Sequence, residues 1–341
     1  MRFEKIFPGI KSDESGINSI NYNEILDYID IEYGRYLYTL FIKEWDLIKS
    51  QEQLMKFEEE HSDSLALIME NESQKILLKE FNDKLNNLFE MHAKDMKMAA
   101  NVQRNLLFEA KPAVNNYDIA FHYQPCSSVS GDFYDFYQNK ETHELKGVVL
   151  ADVSGHGIAS SLLTILAKPI FFREFNNKEN LPINVILDNI NNRLIAQMSA
   201  SENYLTAVIL RFNGNTVEYS NSAHPDIFMH RESDNNVFKV IPEEGQIQGS
   251  LLGIGAVAEP FASYNFIMEQ GDSLLIYTDC LTESQNKAGE EFGENGIIKV
   301  LSESKGLDAS SILKKLILNF QNFIADKTLK DDLSIIVLKK I

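Results

Sequence analysis

Residues 150–160, LADVSGHGIAS, combine three features at one place in the chain. An apolar run ends at Asp152, a turn of small residues containing Gly155 and Gly157 follows, and a segment of helical character begins at Ile158. An acid at the end of a strand, just before a helix, is compatible with a phosphate-binding loop, a nucleotide lid, a metal site or a helix N-cap. The rest of the sequence has to decide among these four.

Length and composition narrow the class of protein. The chain has 341 residues, of which 44% are hydrophobic and 24% charged, which is typical of a globular protein large enough for a full domain and a further element. The formal net charge of −18 argues against nucleic acid and anionic membranes as partners, because both attract basic surfaces.

The cysteine content and the apolar runs predict a cytoplasmic protein. Only Cys126 and Cys280 are present, so there is no disulfide framework. The first 16 residues lack the apolar core of a signal peptide. The longest uncharged run, residues 153–167, is shorter than the roughly 20 residues of a membrane helix.

The N-terminal part of the chain predicts long helices. Residues 35–111 contain neither glycine nor proline and are rich in good helix formers. Nine residues within them follow a 3,4 spacing: Leu78, Phe81, Leu85, Leu88, His92, Asp95, Ala99, Val102 and Leu106. This spacing predicts the seam of a coiled coil or a helical hairpin, and a helix packed on its own domain is an equally open alternative.

The pattern changes after Pro112 to short strands joined by turns. We predict strands over residues 117–125, 131–138, 146–153, 204–212, 216–224, 264–270, 272–279 and 333–340. We predict helices over 158–167, 181–197 and 309–325, with Pro169 bending or interrupting the first. Successive hairpins with helices in blocks indicate an antiparallel α+β fold.

Several aspartates lie at the ends of these strands: Asp132, Asp152, Asp279 and the pair Asp331 and Asp332. A single such residue is usually a turn former or a cap. If the strand ends converge, two carboxylates about 4 Å apart repel by roughly 4 kcal/mol at an effective dielectric constant near 20. A group of them stays ionised only with compensating charge, which Mg²⁺ or Mn²⁺ would supply.

Seven segments together resemble the bacterial RsbU/SpoIIE branch of the metal-dependent PPM serine/threonine phosphatases. They occur in the order AANVQRNLLF, SSVSGDFYDFY, LADVSGHGIASSLL, YSNSAHPDIF, SLLGI, GDSLLIYTDCLTESQNKAGEEFG and DDLSIIVLK. The similarity extends over residues 97–341, which the resemblance makes the phosphatase domain. Residues 1–96 then form a helical N-terminal segment for regulation and dimerisation.

The resemblance implies an αββα sandwich, two antiparallel sheets flanked by helices, with two Mn²⁺ or Mg²⁺ ions at one end. Asp152 would bridge the two ions, and the carbonyl of Val153 would ligate one of them. Asp279 and Asp331 would hold the other ion. Asp132 would act through a water molecule or from behind the ligands.

The implied reaction is attack of a metal-activated water on a phosphoserine or phosphothreonine, without a phosphoenzyme. The implied substrate is a phosphorylated STAS-type anti-sigma-factor antagonist in a partner-switching pathway. His156 is a candidate for the acid that protonates the leaving group, or else it orients the loop. Asp332 is expected to be structural, and His224 to support a turn.

Two positions depart from the family pattern and keep a second function open. Ser130 and Cys280 each occupy a position where relatives commonly have glycine. If the backbone at Cys280 needs a positive φ, the side chain would cost stability and lower activity. The alternative function is therefore a PPM-like signalling domain that acts by protein binding with little or no turnover.

Other enzyme classes fail on single positions. Ser154 occupies a glycine position of a histidine-kinase nucleotide lid, and Asp152 occupies the first glycine of a serine-hydrolase elbow. Neither cysteine is followed by the arginine of a cysteine phosphatase, and a P-loop is absent. We further predict a homodimer, an upstream regulator that acts through the N-terminal helices, and a role for residues 286–302 in substrate approach, with a plain surface excursion as the alternative.

Overall fold

The computed structural model describes residues 72–107, 111–155, 157–178, 180–198, 203–242, 248–255 and 260–341. The helices in this part of the chain are α1 (Glu72–Leu107), α2 (Ile158–Asn177), α3 (Ile183–Met198), α4 (Cys280–Glu283), α5 (Gly293–Ser302) and α6 (Ala309–Ile324). None of these helices has the length and apolar character of a membrane span.

Eleven strands are assigned among the described residues. They are β1 (Tyr117–Gln124), β2 (Asp132–Gln138), β3 (Leu145–Val153), β4 (Leu205–Asn213), β5 (Thr216–Ser222), β6 (Phe228–Arg231), β7 (Asn236–Lys239), β8 (Gln248–Gly249), β9 (Tyr264–Ile267), β10 (Ser273–Tyr277) and β11 (Leu333–Lys340).

Helix α1 matches the helix predicted from the absence of glycine and proline, whereas residues 35–71 lie outside the described residues. The described seam residues include three exposed apolar side chains: Phe81 (41% exposed), Leu88 (38%) and Val102 (52%). One polar side chain of this helix, Gln103, is instead 3% exposed. The chain divides between Ala99 and Ala100 into two units, which are described separately here.

Two sheets form the centre of the second unit. One has the order β1-β11-β10-β6-β7, and the other has the order β2-β3-β4-β5-β8, with β9 also paired to β5. All described pairs are antiparallel except the two-residue pair of β5 with β8. The predicted antiparallel α+β class is therefore confirmed.

Three apolar clusters separate four layers of this unit. Helices α2 and α3 pack on the six-stranded sheet through residues such as Phe171 and Ile186. The two sheets pack on each other around Leu150 and Ile336. Helices α5 and α6 cover the five-stranded sheet around Phe320. This order of layers is the predicted αββα sandwich.

The structure differs from the predicted elements in three places. Helix α2 runs through Pro169 without interruption, so of the two predicted effects of Pro169 the interruption is wrong and the bend stays a prediction. Strands β6 and β7 form a hairpin that the sequence pattern did not predict. The second half of residues 286–302 is helix α5, which buries Ile297 and Val300 and is not a simple loop.

Candidate metal centre

The fold brings the predicted acids to one end of the sandwich. Asp132 opens β2 and lies directly opposite Asp152 of β3 in the antiparallel register. Asp279 lies two residues after β10, and Asp331 lies two residues before β11, which is the neighbour of β10 in the other sheet. Burial, then the charges of Asp279 and Asp331, raises the pKa of Asp152, so the acids of the two sheets lie near each other.

Asp132 ties the two sheets together at this end. Its side chain is buried, and its Oδ2 accepts hydrogen bonds from the hydroxyls of Thr278 (3.1 Å) and Ser334 (2.6 Å) in the opposite sheet. Asp132 and Asp152 also interact through a hydrogen bond between their carboxyl groups. Two carboxyl groups in such contact favour a shared proton unless a cation lies nearby.

The electrostatics of the site call for an added positive charge. Burial, followed by the charges of neighbouring acids, raises the pKa of both Asp132 and Asp152 well above the ordinary range. Burial, then Glu283 and Asp331, raises the pKa of Asp279 to about 6. The charged groups that shift these three pKa values are all carboxylates. A hard divalent cation with oxygen ligands fits this donor set.

The nearest buried histidine does not provide the missing charge. Burial lowers the pKa of His224 to about 3, with the backbone of Tyr277 offsetting part of the effect. The imidazole is therefore neutral at pH 7 and stabilises no carboxylate by charge.

Asp332 holds the loop in front of the acids. Its Oδ1 accepts the backbone N–H of Cys126 (2.8 Å), and its Oδ2 accepts that of Gly131 (2.6 Å). Its own N–H donates to Oδ1 of Asp331 at 2.8 Å. These contacts agree with the structural role expected for Asp332.

Val153 and Gly131 approach each other more closely than other residue types would allow. The N–H of Val153 donates to the carbonyl of Gly131 at 3.1 Å. A Cβ on Gly131 would lie 2.8 Å from the Val153 carbonyl oxygen and 3.2 Å from that of Gly155. Glycine at 131 thus keeps the predicted carbonyl ligand of Val153 clear of side-chain atoms.

The turn after β3 rests on two glycines with positive φ, Gly155 (80°) and Gly157 (93°). Gly157 is the N-cap of α2, and no side chain caps this helix. Asp152 is therefore not a helix cap, which removes the simplest structural explanation for it. His156 lies outside the described residues, so its role in acid catalysis or loop orientation stays a prediction.

The two departures from the family pattern are accommodated. Cys280 is the first residue of α4 and does not have a positive φ. Its Sγ donates to the carbonyl oxygen of Asp331 at 3.2 Å. Ser130 is buried, and its Oγ accepts the N–H of Asp132 at 3.0 Å. The backbone cost considered for Cys280 is therefore not present.

Cys126 lies close to the acids but is not a suitable metal ligand. Its Sγ lies within 4.8 Å of carboxylate oxygens of Asp331 and Asp332. Burial, then the charges of these acids, raises the pKa of the thiol to about 12, which keeps it protonated at neutral pH. Because the thiolate is the form that binds metals, Cys126 is a poor ligand here.

Sequence reasoning missed the polar residues that support the acids, most clearly Gln103. Its Nε2 donates to the carbonyl of Ser130 (2.6 Å) and to Oγ1 of Thr164 (3.0 Å), while its Oε1 accepts the N–H of Ser130 (3.0 Å). A glutamine in a polar helix carries no signal of its own. Its place inside the segment AANVQRNLLF was the only available indication.

Comparison with solved structures defines the class of protein. The SiaA-PP2C domain of Pseudomonas aeruginosa superposes with a TM-score of 0.61 at 15% identity, covering 74% of this chain and 98% of that domain. The RsbU and RsbW domains of a Mycobacterium tuberculosis protein give a TM-score of 0.53 at 18% identity, covering 67% and 61%. The fold is that of a PP2C-type, or PPM, phosphatase domain.

Sequence comparison identifies the family. The model of the Stage II sporulation protein E (SpoIIE) family matches residues 144–340, and the chain belongs to this family. Phosphoserine phosphatase RsbU of Bacillus subtilis is 25% identical over 248 residues, which span 72% of this chain and 70% of that protein. Phosphoserine phosphatase RsbP of the same organism is 29% identical over 198 residues, spanning 56% and 46%. The predicted family and enzyme class, a PPM-type phosphatase, are confirmed.

Proposed function

We propose that the chain is a Mn²⁺- or Mg²⁺-dependent phosphatase that hydrolyses phosphoserine or phosphothreonine on a protein substrate. The observation that carries the proposal is the meeting of Asp152, Asp279 and Asp331 at one end of the sandwich, where the acting charges are all negative. The similarity to two proteins named phosphoserine phosphatases supports the same reaction.

The proposed ligand set is the one that the family resemblance implies, and the position of the acids supports it. Asp152 would lie between two cations, with the Val153 carbonyl on one and with Asp279 and Asp331 on the other. When bound, such cations supply Lewis-acid stabilisation of the phosphoryl oxygens and a nucleophilic water at neutral pH. We propose that two ions bind.

The chain's own residues orient this site. Asp132 is held by two hydroxyls on Oδ2, so its other oxygen is available to a water molecule or to Asp152. Asp332 fixes the loop at Gly131 and keeps the approach to the Val153 carbonyl open. For His156 we retain the proposal that it protonates the leaving hydroxyl.

For the substrate we propose a phosphorylated STAS-type anti-sigma-factor antagonist. Support comes from the names of the relatives, since RsbU and RsbP are phosphoserine phosphatases. Residues 286–292, between α4 and α5, remain candidates for substrate approach. Two contacts hold this segment: Nζ of Lys327 donates a hydrogen bond to the carbonyl of Asn286, and Lys287 forms an ion pair with Asp326.

The decisive experiment measures phosphate release from the phosphorylated STAS proteins of the source cell with Mn²⁺, with Mg²⁺ and with a chelator. We expect release that requires a divalent cation and that disappears when Asp152→Asn and Asp279→Asn are combined. Release that persists in the double variant would contradict the metal centre. Tight binding of the phosphoprotein without release would favour the alternative function, a signalling domain with little turnover.

We also propose that α1 mediates homodimerisation and receives an upstream regulator. The apolar seam positions Phe81, Leu88 and Val102 are exposed in the single chain, which suits a coiled-coil partner. Sedimentation of the full chain should show a dimer that Leu88→Glu dissociates. Asn87→Glu, on an exposed position next to the seam, should leave the dimer intact. A monomer at high protein concentration would contradict this proposal.

A further inference from the structure

The backbone just before His224 adopts an unfavourable conformation, which a residue that only supports a turn does not require. It follows β5 and its side chain is 1% exposed. The preceding residue, Ala223, has a φ of 49°, a left-handed conformation that is unfavourable for a non-glycine residue. Strain of this kind persists only where the surroundings enforce it.

Hydrogen bonds to both the N–H and the carbonyl of His224 hold this backbone conformation in place. Oδ1 of Asn221 accepts the N–H of His224 at 2.8 Å, and Nδ2 of Asn221 donates to the carbonyl of His224 at 3.0 Å. Nε2 of Gln248 donates to the same carbonyl at 3.0 Å. The position of the imidazole is therefore fixed by three side-chain hydrogen bonds to its own backbone.

The imidazole lies next to the strand that supports Asp152. Its Nδ1 forms a hydrogen bond of 2.7 Å with Oγ1 of Thr206. Thr206 of β4 lies directly opposite Asp152 of β3, and opposed residues of an antiparallel pair project from the same face of the sheet. Asp132, Asp152 and Thr206 thus form one row across three strands.

The other neighbour of the imidazole belongs to the opposite sheet. Tyr277, the last residue of β10, lies near enough to the ring of His224 for its backbone to offset part of the effect of burial on the pKa of the imidazole. Asp279 follows two residues later. His224 therefore lies between Thr206, which is opposite Asp152, and the end of β10, which precedes Asp279.

We propose that His224 is a positioning residue that fixes the separation between Asp152 and Asp279, and thereby the affinity of the centre for divalent cations. The inference rests on the proposed metal centre. Groups that orient metal ligands without touching the metal change metal affinity by about 10–100-fold when they are replaced.

A second buried histidine provides a matched control. His230 of β6 is also fully buried and makes one side-chain hydrogen bond, 2.8 Å from its Nε2 to Oδ1 of Asn235. It pairs with Ser273 at the opposite end of β10 from Asp279. Replacing either histidine by phenylalanine removes one buried hydrogen bond, but only His224 lies beside the acids.

The test is Mn²⁺ binding to the full chain by calorimetry, together with the denaturant midpoint of unfolding in chelator. We expect His224→Phe to weaken Mn²⁺ binding by about tenfold or more, with a loss of metal-free stability no larger than that of His230→Phe. His224→Asn keeps an acceptor near the place of Nδ1 and should recover most of the affinity. His230→Phe should bind Mn²⁺ like the unmodified chain.

Unchanged Mn²⁺ affinity in His224→Phe would overturn the inference, as would an equal loss of affinity in His230→Phe. If His224→Phe does not fold, Thr206→Val removes the hydroxyl alone and should still weaken binding severalfold, and unchanged affinity there overturns the inference as well. An unmodified chain that binds no Mn²⁺ would reject the proposed function itself. Binding by the unmodified chain with no effect of the variants would reject only the role of His224.

Discussion

The buried charged groups at the two ends of the sandwich have opposite kinds of surroundings. At the end away from the acids, the ammonium group of Lys340 donates to the carbonyls of Gly214 (2.9 Å) and Met268 (2.9 Å) and to Oδ1 of Asn215 (2.8 Å). Asp272, at the same end, has both of its oxygens satisfied by backbone N–H groups. Each buried charge there has its partners within the fold.

At the other end the acids have a different set of neighbours. Asp132 receives two hydroxyl hydrogen bonds, but the charges acting on Asp132, Asp152 and Asp279 are those of other carboxylates. The contrast shows that this fold can stabilise a buried charge with its own hydrogen bonds where stability is the sole requirement. Under the proposed function, the acid end leaves part of that stabilisation to a bound cation.

The largest effect is expected from replacing one acid at each end. Asp152→Asn should lower kcat/KM by at least about a hundredfold, because bound cations supply several kcal/mol of transition-state stabilisation. The same change should raise the stability of the metal-free chain, since it removes a buried negative charge from a repulsive group.

Asp272→Asn is the matched change at the other end. It replaces an acceptor of the Glu232 and Glu269 N–H groups and should cost about 1–3 kcal/mol of stability while leaving metal-dependent turnover intact. Phosphate release and thermal unfolding in chelator measure both variants. Loss of stability in Asp152→Asn would contradict the comparison.

The next effect concerns the internal cation. Lys340→Met should destabilise the chain by about 1–3 kcal/mol, because the buried carbonyl of Met268 and two partly buried acceptors lose their donor. The Mn²⁺ dissociation constant should not change, since Lys340 lies at the far end of β11 from Asp331. Denaturant unfolding and calorimetry test the two statements separately. Weaker Mn²⁺ binding in Lys340→Met would show that the two ends are coupled.

A smaller effect is expected from the loop between the acids. Gly131→Ala places a methyl group 2.8 Å from the Val153 carbonyl oxygen, and overpacking of this kind costs about 1–3 kcal/mol. We expect weaker Mn²⁺ binding and slower turnover. In Gly255→Ala the methyl would meet only Cγ2 of Ile195 at 3.5 Å, so this variant should bind Mn²⁺ normally. Equal behaviour of the two variants would argue against a role of the Val153 carbonyl.

The smallest effect is a difference between two pH profiles. The folded-state pKa of Asp279 is raised from 3.8 to about 6, so its proton stabilises the metal-free fold as the pH falls from 7 towards 4. With Mn²⁺ the sign reverses, because the cation binds the carboxylate form and its affinity should decline below about pH 6. Thermal unfolding at several pH values, in chelator and in excess Mn²⁺, measures the difference. Parallel profiles would contradict cation binding by these acids.

The sequence predicted the regular parts of the fold well. The near-continuous apolar runs of β4 and β11 and the breaker-free composition of α1 each gave a clear signal. Helix α5 was missed because it contains Gly293 and Gly296, which lower its helix propensity. Its stability comes from burying Ile297 and Val300 against neighbouring helices, which a local pattern does not reveal.

The residues of the candidate site were likewise predictable only in part. The acids could be predicted because each has an aspartate-rich motif at a strand end. Their supports could not, since Ser334 and Thr206 are ordinary strand residues and Thr278 directly follows a strand, and their importance arises only from the register of distant strands. The sequence also suggested a backbone cost at Cys280, and only the helical conformation of that residue removed the concern.

The pairing of β1 with β11 has a consequence for how the molecule reaches its active form. Strand β11 lies between β1 and β10, so the five-stranded sheet closes only when the last described strand inserts next to the first. The loop at Cys126 and Gly131 is held by Asp332, about two hundred residues away in the chain. Contacts of such long sequence separation slow folding. A nascent chain whose β11 is still inside the ribosome cannot bring Asp331 and Asp332 to Asp132 and Asp152, so it cannot complete the acid group.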